Sequence, residues 1–171
     1  MGKSILITGG ARSGKSRIAE EWVSAQGAHP IYIATAEAWD KEMETRIDAH
    51  KARRGDHWTT LQEPLDIVAA LQKSDGNGPR LIDCLTLWLS NMMHHERDWK
   101  AAAQTLAQEL PQRTSPVTLV TNEVGAGVVP ENALARAFRD AAGEVNQMIA
   151  AASDEVYFAV SGYPLKVKPH A

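Results

Sequence analysis

The sequence predicts an α/β domain, with a mostly parallel sheet and helices on both of its faces. Three observations carry this. Apolar runs of strand length alternate with longer amphipathic segments along the whole chain. The strand runs are continuously apolar rather than alternating, as strands covered on both faces must be. The first run leads through a glycine-rich string, GGARSGKS, into a helical pattern. A chain of 171 residues is enough for one domain with its own core. The most loop-like stretch, SDGNGP (74–79), is a turn cluster too short to be a linker, so residues 1–171 are read as a single domain.

Each element follows from its own pattern. SILIT (4–8) is short and apolar, a buried strand. SRIAEEWVSAQ (16–26) carries Ile18, Trp22 and Ala25 at helical spacing. IYIAT (31–35), bounded by Pro30, is the second strand. DKEMETRIDAHKARR (40–54) is a helix with Met43 and Ile47 on one face. WTTLQ (58–62) is a weak strand and LDIVAALQK (65–73) a helix. RLIDCL (80–85) is a strand, and LTLWLSNMM continues it as a helix. WKAAAQTLAQEL (99–110) is a helix stopped by Pro111. VTLVT (117–121) is a strand. NALARAFRDAAGEVNQMIAAA (132–152) is a long helix, with Ala135, Phe138, Val145 and Ile149 among its apolar positions. EVYFAVSG (155–162) is the last strand.

Composition narrows the function classes. The net charge is -3, so the chain as a whole is not built to bind a polyanion, and no nucleic-acid partner is expected. One cysteine, Cys84, allows no intrachain disulfide; it reads as a small core residue and suits a reducing, cytoplasmic setting. No apolar run approaches a transmembrane segment in length. The SILIT run is too short for a signal peptide and is interrupted by GGAR. The start MGKSIL lacks the Ser or Thr of a myristoylation signal.

The string Gly9, Gly10, Ala11, Arg12, Ser13, Gly14, Lys15, Ser16 fits G-x-x-x-x-G-K-[ST]. Average residue usage yields such a match in roughly one chain of this length in a few hundred, and its strand-then-helix context sharpens it. The glycines let backbone N–H groups face phosphate oxygens, and the helix start adds partial positive charge. Lys15 is the catalytic cation that reaches the β- and γ-phosphates, and the Ser16 hydroxyl ligates Mg²⁺. The expectation is therefore a P-loop NTPase fold. Asp83, ending the RLID run, is the candidate second Mg²⁺ ligand; a plain helix cap is the alternative. No N-K-x-D string supports a guanine-nucleotide switch, and little chain is left over for a motor's partner surface. A small-molecule kinase survives, though without a clear Arg-rich lid.

A second cluster lies in RIDAHKARR (46–54), where helical spacing gathers Arg46, Arg53 and Arg54 around His50. Surrounding cations disfavour an imidazolium. A neutral histidine beside bound phosphates could become a covalent nucleophile. Spacing alone favours the plainer reading, a solvated basic helix. His94 and His95, being adjacent, make a poor metal pair, and no zinc-ligand spacing occurs.

Along nearly its whole length the chain resembles the bifunctional adenosylcobinamide kinase / adenosylcobinamide-phosphate guanylyltransferase family of cobalamin biosynthesis. The resemblance rests on TGGARSGKS (8–16), YIATAEAWDKEMETRIDAHKARR (32–54), LIDCLTLWLSN (81–91), VTNEVGAGVVPENALARAFRDAAGEVNQMIA (120–150) and SGYPLKVK (161–168). It implies two reactions. A nucleoside triphosphate, ATP or GTP, first phosphorylates the aminopropanol hydroxyl of adenosylcobinamide. GTP then loses pyrophosphate to an enzyme histidine, and the GMP passes to the corrinoid phosphate. The histidine falls on His50. The family's nucleotide contacts fall on the P-loop, on Ala34, Thr35 and Ala36, on Lys51, Ala52, Arg53 and Arg54, and on Asp83. Members are homotrimers. Where the resemblance leads one to expect an acidic residue after the third strand, this chain has Gln62 and then Glu63. An amide oxygen accepts from guanine N1–H and N2–H₂ less well than a carboxylate. From strand-end position alone, Glu123 is a candidate base for the kinase step.

Overall fold

The computed structural model describes residues 1–37 and 41–169, without the side chain of Arg46. The strands are β1 (Ser4–Gly9), β2 (Ile31–Ala34), β3 (Thr59–Gln62), β4 (Arg80–Asp83), β5 (Val117–Asn122), β6 (Glu155–Val160) and β7 (Tyr163–Lys168). The helices are α1 (Lys15–Ala25), α2 (Lys41–Arg54), α3 (Ile67–Ser74), α4 (Leu85–His94), α5 (Trp99–Glu109) and α6 (Ala133–Ala152). The Asp40 start predicted for α2 lies outside the described residues.

All seven strands form one sheet in the order β3-β2-β4-β5-β1-β6-β7, parallel except for β7. β7 is a strand that the sequence pattern does not announce. It alternates, carries Pro164 and sits at the edge, where only one side needs a partner and a missing N–H is tolerated.

Successive strand residues point to opposite faces. Leu6, Ile33, Ile82 and Leu119 face the larger core beneath α3, α4, α5 and α6. Ile5, Ile7, Tyr32, Leu81 and Val120 face the smaller core under α1. Trp88 sits wholly inside the larger core and donates its indole N–H to the Leu65 carbonyl at 2.8 Å. Three helices start on side-chain caps: Asp66 on Ala69 N–H at 3.0 Å, Asp98 on Ala101 N–H at 3.0 Å, and Asn132 on Leu134 N–H at 2.8 Å.

Register positions the site. Gly9 of β1 lies opposite Asn122 and Ala159, and Ala34 of β2 lies opposite Gln62 and Asp83. The carboxyl ends of β1, β5, β4 and β2 therefore run side by side along one edge of the sheet, where parallel sheets hold their ligands. The opposite edge carries a structural ion pair. Arg80, with no solvent exposure, meets Asp75 at 2.9 Å and donates to the Leu71 and Ser115 carbonyls.

Candidate active site

The P-loop is shaped by residues that could not be exchanged freely. Gly14 has φ 92°, and a Cβ there would stand 3.0 Å from Gly162 Cα. A Cβ on Gly9 would stand 2.7 Å from Ser13 Oγ and 2.8 Å from the Ala159 carbonyl. The β6–β7 turn closes on the loop from outside. Gly162 N–H donates to the Ser13 carbonyl at 2.8 Å, and Arg17 donates to the Gly162 carbonyl at 3.2 Å. Gly14 caps α1 without a side-chain bond, so the first-turn N–H groups stay available to a ligand. Ser13 Oγ is buried without a hydrogen-bond partner. Lys15 Nζ donates to the Gly10 carbonyl at 2.8 Å, curling over the loop. Burial lowers its pKa, while Cys84 and Asp83 work against that shift.

Asp83 ends β4 at the floor of the site, partly exposed through its mouth. Burial raises its pKa against the opposing pull of the Ser16 hydroxyl and of the Tyr32 phenol, which donates at 3.1 Å. Thr35 fixes the turn after β4: its hydroxyl donates to the Cys84 carbonyl and accepts from the Cys84 N–H, both at 2.8 Å. Asn91 in turn donates to the Thr35 carbonyl at 2.7 Å. Burial pushes the Cys84 thiol up to about 11, so it is inert as a nucleophile.

A cavity of about 280 Å³ opens above this floor, lined by Lys15, Ser16, Asp83, Tyr32, Asn122 and His50. Met43 and Ile47 form its apolar wall, on the face of α2 that their spacing predicts. A second, more open cavity of about 490 Å³ adjoins it, lined by Asp56, Trp58, Thr60 and Gln62. Lys51 and Arg54 line both. Arg54 is 6% exposed, stacks over the Tyr32 ring at 3.5 Å, and leaves its Nη1 without a hydrogen bond.

His50 is not ringed by cations alone, as the helical spacing suggests. Glu20 of α1 reaches into the cluster, receiving Arg53 Nε and Nη2 at 2.9 Å each. Its carboxylate also stands 4.0 Å from His50 Nδ1 and 3.8 Å from Arg54 Nη1. Burial alone would raise the Glu20 pKa, but His50, Arg53 and Arg54 more than reverse this and leave it lowered. The Arg46 side chain lies outside the described residues.

The structure therefore gathers Lys15, Ser16, Ala34, Ala36, His50, Lys51, Arg54 and Asp83 around one cavity, with Gln62 in its neighbour. Thr35 serves the backbone below rather than the wall, Ala52 lines neither cavity, and Arg53 is taken up by Glu20. Glu63 does not stand in for Gln62, because its carboxylate accepts from the Leu65 and Asp66 N–H groups at 3.1 and 2.8 Å. Gln62 gives its own amide N–H to the Ala36 carbonyl, which leaves its oxygen as an acceptor without a partner among the described residues. Glu123 spends its carboxylate on the N–H groups of Gly125 and Ala126, while Asn122 reaches the cavity wall instead. Tyr32, Glu20 and Asn122 are site residues that the sequence does not mark. A carboxylate beside the apolar Ile18, Ala19 and Val23 was the available signal for Glu20.

A family model described as cobinamide kinase / cobinamide phosphate guanyltransferase matches residues 5–167. The bifunctional adenosylcobalamin biosynthesis protein CobP of Pseudomonas aeruginosa is 46% identical over 171 residues, covering 95% of this chain and 96% of that protein. The bifunctional adenosylcobalamin biosynthesis protein CobU of Salmonella typhimurium is 43% identical over 183 residues, covering 96% and 99%. Its Escherichia coli counterpart is 41% identical over 180 residues, also covering 96% and 99%. Among solved structures, the P4 protein from bacteriophage phi6 in complex with ADP is similar with a TM-score of 0.50 at 12% identity. That match covers 95% of this chain and 54% of the P4 chain, and it is a likeness of fold.

Proposed function

The chain belongs to the cobinamide kinase / cobinamide phosphate guanyltransferase family, transferases of cobalamin biosynthesis, and from that premise we propose that it performs both reactions at one nucleotide site. The observation that carries this reading is the shared cavity, with the P-loop on one wall and His50 on another. In the first reaction ATP or GTP gives its γ-phosphate to the aminopropanol hydroxyl of adenosylcobinamide. Lys15 and the free N–H groups of the α1 start hold the phosphates and offset the charge that develops on them. The unpartnered Ser13 Oγ offers them a further donor. The hydroxyl of Ser16 and the carboxylate of Asp83 are hard oxygens fitting Mg²⁺, which would neutralise phosphate charge there. Two protein oxygens suit an ion that keeps its waters and leans on substrate phosphates.

In the second reaction His50 attacks the α-phosphorus of GTP. The N–P bond forms, pyrophosphate leaves with the electron pair, and the GMP then passes to adenosylcobinamide phosphate, giving adenosylcobinamide-GDP. Lys51 and Arg54, facing both cavities, suit the phosphates, and the Gln62 oxygen suits the guanine N–H edge. The chain also assembles as a homotrimer, a reading supported by the family resemblance. The exposed apolar residues of β7, Tyr163, Leu165 and Val167, would have a use in such an assembly.

A kinase lacking the second activity would leave no nucleotide on the protein, which makes the adduct the deciding test. GTP labelled at the α-phosphate should leave an acid-labile, alkali-stable label and release pyrophosphate. His50→Ala should lose that label and all guanylyl transfer. An unlabelled wild-type chain, or a His50→Ala chain labelled as usual, would refute the second activity or its nucleophile.

A further inference from the structure

The His50 ring has two partners at Nδ1, and they demand opposite tautomers. Arg53 Nη2 lies 3.2 Å away and can only donate, so it favours an Nδ1 lone pair with the proton on Nε2. The Glu20 carboxylate lies 4.0 Å away and can only accept, so it favours a proton on Nδ1 and a lone pair on Nε2. Nε2 has no hydrogen bond among the described residues, which makes it the nitrogen free to attack. Glu20 is 8% exposed and is fixed by its two bonds to Arg53. It belongs to α1, the helix that begins in the P-loop, so the phosphate cradle and the carboxylate beside the nucleophile share one mount.

We propose that Glu20 is the positioning residue of guanylyl transfer: as an acceptor beside Nδ1 it favours the tautomer that keeps the proton there, leaves the lone pair on Nε2, and faces the cation that forms on the ring. The inference rests on His50 being the nucleophile. As the Nε2–P bond forms, the bond from phosphorus to the β-phosphate oxygen breaks and pyrophosphate leaves with its electrons. The proton stays on Nδ1, and the ring becomes cationic beside a buried carboxylate. When the corrinoid phosphate oxygen attacks phosphorus, the N–P electrons return to Nε2 and the ring is neutral again, with its proton still on Nδ1. The kinase step needs none of this. Among the described residues, the charged and titratable groups around the ring are Glu20 from α1, Lys51, Arg53 and Arg54 from α2, Tyr32 from β2, and Asp83 from β4 together with Lys15 across the cavity.

Two isosteric or near-isosteric changes test the proposal, because it assigns them opposite signs. The rate of labelling by α-labelled GTP is measured at saturating GTP across pH. Glu20→Gln should lower the plateau on the order of a hundredfold, as loss of an orienting acceptor does. It also removes the negative charge that favours imidazolium, so the acid limb should move down by about one pH unit. Arg53→Gln removes a cation and frees Glu20, so its acid limb should move up instead. Glu20→Asp should restore part of the plateau. A merely structural role would depress the plateau and leave both limbs where they were. Glu20→Gln at wild-type rate, or two limbs that fail to separate, would overturn the assignment. A His50→Ala chain that still takes label would instead overturn the nucleophile beneath it.

Discussion

On the proposed reading Lys15 serves both chemistries, and its replacement makes the sharpest single-residue test of a shared site. Lys15→Ala should lower kinase and guanylyl transfer together, each on the order of a hundredfold or more, because a charge-assisted contact to the triphosphate is lost in both transition states. Steady-state assays of the two steps decide it, and kinase turnover at the wild-type rate would contradict one shared cradle. Lys15 was legible because its partners are local: Gly10, whose carbonyl it meets, is five residues away. Glu20 and Tyr32 were not, because what makes them part of the site is contact across 33 residues to Arg53 and across 51 to Asp83. Helical spacing places Arg53 beside His50 correctly, yet it says nothing about which acid arrives from another helix to meet them. Gln62 is the intermediate case. Its position was legible from the resemblance, but that its N–H is spent on Ala36 and its oxygen left without a partner among the described residues is a matter of packing.

The sequence reading starts α5 at Trp99 as found and α6 at Asn132, one residue early, while α3 begins at Ile67, two residues after the Leu65 start that its pattern suggests, because Asp66 caps it. β7 was not legible, since Pro164 argues against a strand unless an edge is known to be free. Its last residue does an unexpected job. Lys168 Nζ donates to the carbonyls of Ala150, Ala151 and Ser153 at 3.0, 2.8 and 2.6 Å, answering the open carbonyl end of α6. Lys168→Met keeps the aliphatic stem and removes the donor. It should cost about 1–2 kcal/mol by chemical denaturation, and an unchanged midpoint would show the cap to be idle. The turn before β7 matters differently. Gly14→Ala sets a Cβ against Gly162 and forces a side chain onto φ 92°. It should weaken nucleotide binding, read by equilibrium titration, together with stability, because the loop and the turn are one contact.

At the scale of the whole molecule the sheet has a working edge and a structural edge. Asp75 serves the second. Burial would raise its pKa, but the Thr114 and Ser115 N–H groups and the Arg80 charge bring it down to about 2. A carboxyl group lowered on folding stabilises fully above its ordinary value near 4 and loses that contribution as pH falls toward 2. Asp75→Asn should therefore destabilise the protein at neutral pH, by about 3 kcal/mol for an uncompensated buried Arg80. The variant should also flatten the stability profile between pH 4 and 2. Denaturant midpoints across that range check both parts. The proposed homotrimer belongs to this scale too: sedimentation equilibrium at micromolar concentration should give three times the chain mass. A monomer there would remove the assembly and leave the chemistry of the cavity standing.

The place of β1 also sets a timetable for synthesis. β1 carries the P-loop, yet its two neighbours are β5 and β6, with Ser4 pairing with Val117 and Ile5 with Glu155. A ribosome releases the first strand long before either flank exists, and the Gly162 contact on Ser13 comes later still. Until β5 and β6 emerge, the nascent chain therefore carries an apolar strand without either of its neighbours. The nucleotide seat is completed only when the β6–β7 turn arrives. A nascent chain stalled before residue 155 emerges should not retain nucleotide, whereas one with residue 168 clear of the exit tunnel should. A nucleotide can then act as a ligand that draws the fold shut once β7 has arrived.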